Sequence, residues 1–237
     1  MNIVVALNKK FVASMYFYLR IMLVVIFGLS SVSLFNIYAM DKKNLSKGPT
    51  INYMVLVNKE HKLPENWESS VLLKTAKNIY GEEYQVEEKT LKQFELLRKN
   101  LLNSEGIDIE LDSTTRSVAK QQELWDEWTK ERGPEYVQKY MAVPGYSEHH
   151  TGLAIDICLH KDDKRIDDNS EMIAEKEIFA KIHKKLSKYG FILRYPEGKK
   201  EITGYEYEPW HFRYIDNPEI ASEIMNEGIT LEEYLAM

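Results

Sequence analysis

The chain has 237 residues, a length that allows one large domain or two small ones. Hydrophobic residues make up 44% of it and charged residues 29%, a composition typical of folded globular proteins and unlike that of disordered ones. The net charge of -6 argues against a nucleic-acid-binding surface, and the single cysteine excludes an intramolecular disulfide framework and a zinc site made only of cysteines.

Residues 1–40 differ from the rest of the chain in charge. They contain Lys9, Lys10 and Arg20 but no acidic residue, and residues 21–40 form an uncharged and largely apolar run. About 20 apolar residues can span a bilayer as a helix, and preceding positive charges favour a cytoplasmic N-terminus and an exported C-terminus. We therefore interpret residues 1–40 as a signal peptide or an uncleaved signal anchor, with a buried core helix as the alternative.

Residues 41–52 are predicted to be a linker, because they begin with a polar stretch that contains Gly48 and Pro49. The domain is then expected at residues 53–237, a length sufficient for one well-buried core. Apolar residues at helical spacing predict a helix that ends at Gly106.

Further helices and strands follow without a regular rhythm. Two more helices are expected, one at residues 117–132 before Gly133-Pro134 and one that starts at Ser170 and stops before Gly190. Strands are predicted at residues 53–57, 107–111, 153–159, 191–195 and 205–214, and short helices at residues 217–226 and 231–235. This order predicts an α+β class: a single domain with a small, mostly antiparallel sheet flanked by helices, and the N-terminal hydrophobic helix outside it.

Two segments concentrate chemically active side chains. They are residues 147–156, SEHHTGLAID, and residues 208–211, EPWH. His149, Asp156 and His211 can together form a zinc site of two imidazoles and one carboxylate, and a catalytic site of this kind leaves one position to water.

Glu208 lies three residues before His211, so it can sit beside such a metal and take a proton from water there. The alternative is a set of ordinary polar strand residues with a packed or surface histidine at position 211. Spacing alone does not decide between the two interpretations.

The other polar residues of interest are given simpler roles. Three histidines in charged surroundings are predicted to lie at the surface: His61, His160 and His183. His150 follows His149 directly and should point away from it on an extended chain, so we expect it to line the pocket wall or support the site. Cys158 is interpreted as a small buried thiol.

Residues 147–156 resemble the S-x-H-x-x-G-x-A-x-D signature of VanY-type D-alanyl-D-alanine carboxypeptidases, a group of zinc peptidases that act on bacterial cell-wall peptides. Residues 208–211 resemble the E-x-W-H signature of the same family. Other similar segments include residues 116–121, RSVAKQ, and residues 190–196, GFILRYP. The resemblance covers residues 53–215 in the family's order.

The resemblance implies roles for individual residues. The implied ligands of one Zn²⁺ per chain are His149, Asp156 and His211. Glu208 is implied as general base and then general acid, and Arg116 as the cation that stabilises the oxyanion of the tetrahedral intermediate. The residues implied to line the pocket for the terminal D-alanine are Gln121, Ser147 and Tyr195.

The resulting hypothesis is a zinc-dependent D-alanyl-D-alanine carboxypeptidase that acts on peptidoglycan stem peptides. Two alternatives stay open: an L,D-carboxypeptidase that trims tetrapeptide stems, and a non-catalytic cell-wall-binding module that keeps the fold. The expected partners are stem peptides and, through residues 21–40, a membrane, but no nucleic acid. We expect a monomer at the extracytoplasmic face of the bacterial membrane, either anchored or secreted.

Overall fold

The structure is a computed structural model that describes residues 51–237, apart from the side chains of residues 139 and 140. The predicted signal segment at residues 1–40 and most of the predicted linker at residues 41–52 lie outside the described residues. Within residues 51–237, no helix is both long enough and apolar enough to cross a membrane.

The strands form two antiparallel sheets. A hairpin of β1 (Leu73–Lys77) and β2 (Glu83–Glu87) makes the smaller one. The larger sheet has five strands: β3 (Asp108–Ser113), β4 (Ala154–Lys161), β5 (Lys164–Ile166), β6 (Phe191–Leu193) and β7 (His211–Tyr214). Its order is β3-β4-β7-β6, and β5 pairs with β4. Strand β4 therefore lies in the interior of the sheet, between β3 and β7.

Helices flank the sheets, as the α+β prediction requires. In chain order they are α1 (Glu88–Glu105), α2 (Val118–Arg132), α3 (Pro134–Tyr140), α4 (Asn169–Ala174), α5 (Lys176–Leu186), α6 (Lys200–Thr203), α7 (Pro218–Glu227) and α8 (Leu231–Leu235). Short 3₁₀ turns occur at Trp67–Ser70, Glu148–Thr151 and Ser187–Tyr189. The described chain is thus an α+β unit with antiparallel sheets, which confirms the predicted class for these residues.

The local signals that predicted α1 and α2 are confirmed. Phe94, Leu97 and Leu101 are buried along one face of α1, which packs against β3 and α5. Gly106 ends the helix with a φ of 66°, a left-handed conformation that costs little at glycine. In α2, the Ser117 side chain accepts a hydrogen bond from the backbone N–H of Lys120 and so caps the first turn.

Four predicted elements are corrected. Residues 53–57 form an irregular segment and not a strand, because the carbonyl groups of Tyr53 and Val55 accept hydrogen bonds from Arg213. The helix expected from Ser170 is instead two helices, α4 and α5, separated at Glu175. Asp168, and not Ser170, is the N-cap of α4. Among the predicted strands, residues 191–195 and 205–214 keep strand geometry only at β6 and β7.

Candidate metal centre

Two neighbouring strands bring the predicted metal ligands together. Asp156 on β4 and His211 on β7 are directly paired across the antiparallel ladder, so their side chains share one face of the sheet. His149 lies in the 3₁₀ turn before β4, and Gly152, with a φ of 73°, turns the chain from that helix into the strand. The segments near residues 150 and 210 therefore meet in space.

The donor atoms of these three side chains converge. His211 Nδ1 lies 2.7 Å from Asp156 Oδ1, and His149 Nε2 lies 3.2 Å from Asp156 Oδ2. One ligand atom from each residue falls within 4.8 Å of the others. A single cation placed among them would be within reach of two imidazoles and one carboxylate.

The outward-facing ring nitrogens fix how each imidazole is turned. His149 Nδ1 is 2.7 Å from the carbonyl oxygen of Thr114, an atom that can only accept, so the N–H is on Nδ1 and Nε2 faces the centre. His211 Nε2 is 3.3 Å from a carboxylate oxygen of Glu148, which leaves Nδ1 to the centre. Each imidazole thus presents a lone pair to the same point.

The donor set fits a divalent metal such as zinc. Asp156 Oδ1 is buried and accepts no hydrogen bond of acceptable geometry, although buried polar atoms are normally paired. Asp156 lies between the two imidazoles, and a carboxyl group, with its ordinary pKa of about 4, is ionised at neutral pH. Two nitrogens and one charged oxygen are a common ligand set for catalytic zinc.

Glu208 stands beside this group without joining it. It lies in the irregular segment before β7, where its backbone N–H donates to the carbonyl oxygen of Tyr195, and its Oε2 is 3.8 Å from His211 Nδ1. Burial raises the pKa of Glu208 to about 7; His211 opposes the shift, and Asp156 adds to it. A carboxyl group with a pKa near neutrality can both accept and donate a proton at physiological pH.

Arg116 directly precedes Ser117, the N-cap of α2, and hydrogen bonds hold its guanidinium in place. Its Nη1 donates to Gln121 Oε1 at 2.8 Å and its Nη2 donates to Ser113 Oγ at 3.1 Å. Gln121 Nε2 in turn donates to the carbonyl oxygen of Ala142 at 2.7 Å. The R-S-x-x-x-Q spacing thus places Gln121 one helical turn after the cap, where it fixes the guanidinium.

One cavity of about 240 Å³ collects all the predicted site residues. Its walls include Arg116, Gln121, Ser147, His149, Asp156, Tyr195, Glu208 and His211. The structure therefore brings together every residue that the sequence singled out for metal binding, catalysis or substrate contact.

Two histidines support the walls of this cavity from behind. His150 Nδ1 donates to the carbonyl oxygen of Arg116 at 2.6 Å, and the backbone N–H of Gly145 donates to His150 Nε2, so His150 takes the predicted supporting position. His183, predicted at the surface, is half-buried instead. Its Nε2 lies 2.9 Å from the carbonyl oxygen of Pro209, which steadies the segment that carries Glu208.

Sequence reasoning missed Glu148. This residue occupies a variable position of the first motif, yet its side chain is fully buried against His211, Arg194 and Arg213. A signal was present in the two arginines, because each sits within an apolar run, FILRY or HFRYI, and a buried arginine requires a carboxylate partner.

The family model for VanY, described as D-alanyl-D-alanine carboxypeptidase, matches residues 83–217, which include every predicted site residue. The bifunctional D-Ala-D-Ala dipeptidase and D-Ala-D-Ala carboxypeptidase VanXYC of Enterococcus gallinarum is 39% identical over 188 residues, 78% of this chain and 94% of that protein.

Solved structures agree with the sequence match. The LD-carboxypeptidase LdcB superimposes with a TM-score of 0.67 at 31% identity, over 78% of this chain and 86% of LdcB. A variant of the vancomycin-resistance D,D-pentapeptidase VanY in complex with Zn(II) gives a TM-score of 0.63 at 29% identity, over 78% of this chain and 99% of that protein.

Proposed function

The chain belongs to the VanY family of D-alanyl-D-alanine carboxypeptidases, and from this premise we propose that it is a zinc-dependent D,D-carboxypeptidase that removes the terminal D-alanine from peptidoglycan stem peptides. The observation that carries the proposal is the convergence of His149, Asp156 and His211 in a cavity that also holds Glu208 and Arg116. VanXYC is described as a D-Ala-D-Ala dipeptidase and carboxypeptidase and VanY as a D,D-pentapeptidase, and both descriptions support the choice of bond.

The side chains of the cavity have different roles in the proposed reaction. His149, Asp156 and His211 would hold the zinc ion, which when bound lowers the pKa of water and polarises a carbonyl group. Glu208 takes a proton from the attacking water as the new C–O bond forms. It then donates that proton to the departing amine of D-alanine as the C–N bond breaks.

Arg116 supplies positive charge where the scissile carbonyl oxygen becomes negative. Because Gln121 and Ser113 already hold its guanidinium, little reorganisation is required when the charge develops. Both ends of the Gln121 amide are engaged, so we assign Gln121 to the positioning of Arg116. The hydroxyl groups of Ser147 and Tyr195 are assigned to the carboxylate of the terminal D-alanine.

An adjoining groove supports a substrate longer than a dipeptide. The groove has a volume of about 420 Å³ and shares five lining residues with the catalytic cavity: Arg116, Met141, Asn169, Glu208 and Trp210. The remaining walls are mostly apolar or aromatic, with one acidic residue: Leu124, Trp128, Tyr136, Ile173, Tyr207 and Glu206. Such walls suit the aliphatic parts of the stem residues that precede the scissile bond.

Trp128→Ala is expected to raise KM for a pentapeptide stem by about 10-fold, because the Trp128 ring, stacked on Tyr136 with centroids 5.8 Å apart, forms part of the groove wall. KM for acetyl-D-Ala-D-Ala, which is too short to enter the groove, should not change. Trp125→Ala, on the same helix but outside the groove walls, is the matched control. Equal changes in KM for both substrates would show that the groove does not distinguish long substrates from short ones.

The function itself is tested by mass analysis of the products from defined stem peptides. We expect the full chain to release D-alanine from a pentapeptide stem, to lose this activity in the presence of a chelator, and to regain it when zinc is added. Absence of D-alanine release from every stem peptide, with zinc bound, would instead favour a non-catalytic cell-wall-binding module.

The similarity to LdcB favours an L,D-carboxypeptidase as the second candidate function. Glu208, Arg116 and the metal ligands would serve either bond, so the shape of the pocket for the terminal residue decides. A tetrapeptide stem separates the candidates: the proposed enzyme leaves it intact, whereas an L,D-carboxypeptidase cleaves it and spares the pentapeptide.

A further inference from the structure

Glu148 lies beneath the metal centre as a fully buried carboxylate, with 0% of its side chain exposed. Its Oε1 accepts hydrogen bonds from Arg194 Nε at 2.6 Å and from Arg213 Nη1 at 2.7 Å. Its Oε2 faces His211 Nε2 at 3.3 Å. Oε1 is thus hydrogen-bonded to two cations, and Oε2 faces His211, a predicted metal ligand.

The two arginines are themselves anchored away from the metal. Arg213 Nη2 donates to the carbonyl oxygens of Tyr53 at 3.0 Å and Val55 at 2.7 Å. Arg194 donates to both carboxylate oxygens of Glu232, on α8, at 2.6 and 2.8 Å. Two buried cations therefore face two carboxylates, and the position of Glu148 is fixed from behind by groups that do not touch the catalytic cavity.

The two arginines stabilise the charged form of Glu148. Two guanidinium groups donate hydrogen bonds to the same buried oxygen, Oε1, and a carboxylate is the partner that buried arginines require. An ionised carboxylate can only accept, which places the proton of His211 on Nε2 and leaves Nδ1 as the lone pair that faces Asp156.

The two histidines of the metal centre are supported differently. His149 donates to a neutral carbonyl oxygen, that of Thr114, whereas His211 faces a carboxylate. A carboxylate behind a ligand imidazole fixes its ring orientation and raises its basicity, and loss of such a partner commonly weakens metal affinity by about 10- to 100-fold.

We propose that Glu148 is a positioning residue for the zinc site: held by Arg194 and Arg213, it sets the tautomer and orientation of His211. The inference rests on the proposed zinc-peptidase function, but it concerns the affinity of the site for metal and not the bond that is cleaved. A wild-type chain that binds no zinc would overturn the function as well; a wild-type chain that binds zinc isolates the question of Glu148.

The test is the zinc affinity of the full chain, measured by competition with a chromogenic chelator. Glu148→Gln removes the charge and leaves one amide oxygen, for which both arginines and His211 compete. We expect zinc affinity to fall by about 10- to 100-fold. The matched control is Glu232→Gln, which takes a carboxylate from the other side of Arg194 but does not touch His211, and it should bind zinc as the wild type does.

Glu148→Asp separates loss of the contact with His211 from loss of the fold. It keeps the negative charge between the arginines but withdraws the oxygen from His211, so zinc affinity should fall while thermal unfolding in the presence of chelator stays near that of the wild type. The proposal is overturned if both folded Glu148 variants bind zinc with wild-type affinity, or if Glu232→Gln weakens zinc binding as much as Glu148→Gln does.

Discussion

Glu208→Gln is expected to lower kcat for release of D-alanine by about 10²- to 10⁴-fold, the usual contribution of a positioned general acid–base group. The amide keeps the shape of the side chain but can neither take a proton from water nor deliver one to the leaving amine. Because Glu208 lies outside the converging group of His149, Asp156 and His211, zinc content should stay at the wild-type level. Steady-state kinetics on a pentapeptide stem, with elemental analysis of the same sample, measures both quantities.

Glu201→Gln provides the matched control for this variant. Glu201 lies on α6, shortly before Glu208 in the chain, and its side chain is exposed and lines neither the catalytic cavity nor the adjoining groove. The substitution makes the same change of charge, and kcat should remain near that of the wild type. Near-full activity of Glu208→Gln would remove Glu208 from the role of general base.

His211→Ala is expected to abolish most zinc binding, because it removes one of the two nitrogen donors of the centre and leaves a neutral gap beside Asp156. Zinc content after dialysis should fall from about one ion per chain to a small fraction of that value. Activity on the pentapeptide stem should fall with it, and added zinc should restore little.

His160→Ala separates loss of a ligand from loss of any histidine on the same sheet. His160 lies on β4 with Asp156, but its ring contacts the hydroxyl group of Tyr80 and takes no part in the metal centre. This variant should keep its zinc. An unchanged zinc content in His211→Ala would exclude His211 from the ligand set.

Elements whose signals are local could be predicted from the sequence. The helix ended by Gly106 and the one capped by Ser117 depend on side chains within a few residues, and both occur where expected. The hairpin of β1 and β2 could not be predicted, because its first strand, LKTAK, is largely exposed and lacks an alternating apolar pattern. The predicted membrane segment at residues 21–40 stays a prediction.

Features that depend on partners distant in the sequence could not be predicted correctly. The apolar run at residues 53–57 has the composition of a strand, but its carbonyl groups are satisfied by the buried Arg213 and not by a neighbouring strand. The role of Glu148 could not be predicted from the sequence for the same reason. Its partners come from later in the chain, Arg194 directly after β6 and Arg213 on β7, and no spacing within the first motif indicates them.

The identity of the predicted metal ligands follows from residue type and motif. Their proximity in space follows from the pairing of β4 with β7, which the sequence does not show. The register that places Asp156 opposite His211 is a property of the sheet. Residue chemistry alone left a packed histidine as an alternative to a ligand, and the convergence of the three donor groups now argues against that alternative.

Anomalous diffraction at the zinc edge, from crystals of the zinc-loaded full chain, tests the central claim most directly. We expect one strong peak among His149 Nε2, Asp156 and His211 Nδ1, at about 2.0–2.2 Å from each ligand atom, with Glu208 beside the ion and not bound to it. A peak bound elsewhere, or none at this cluster while the crystals retain zinc, would contradict the account.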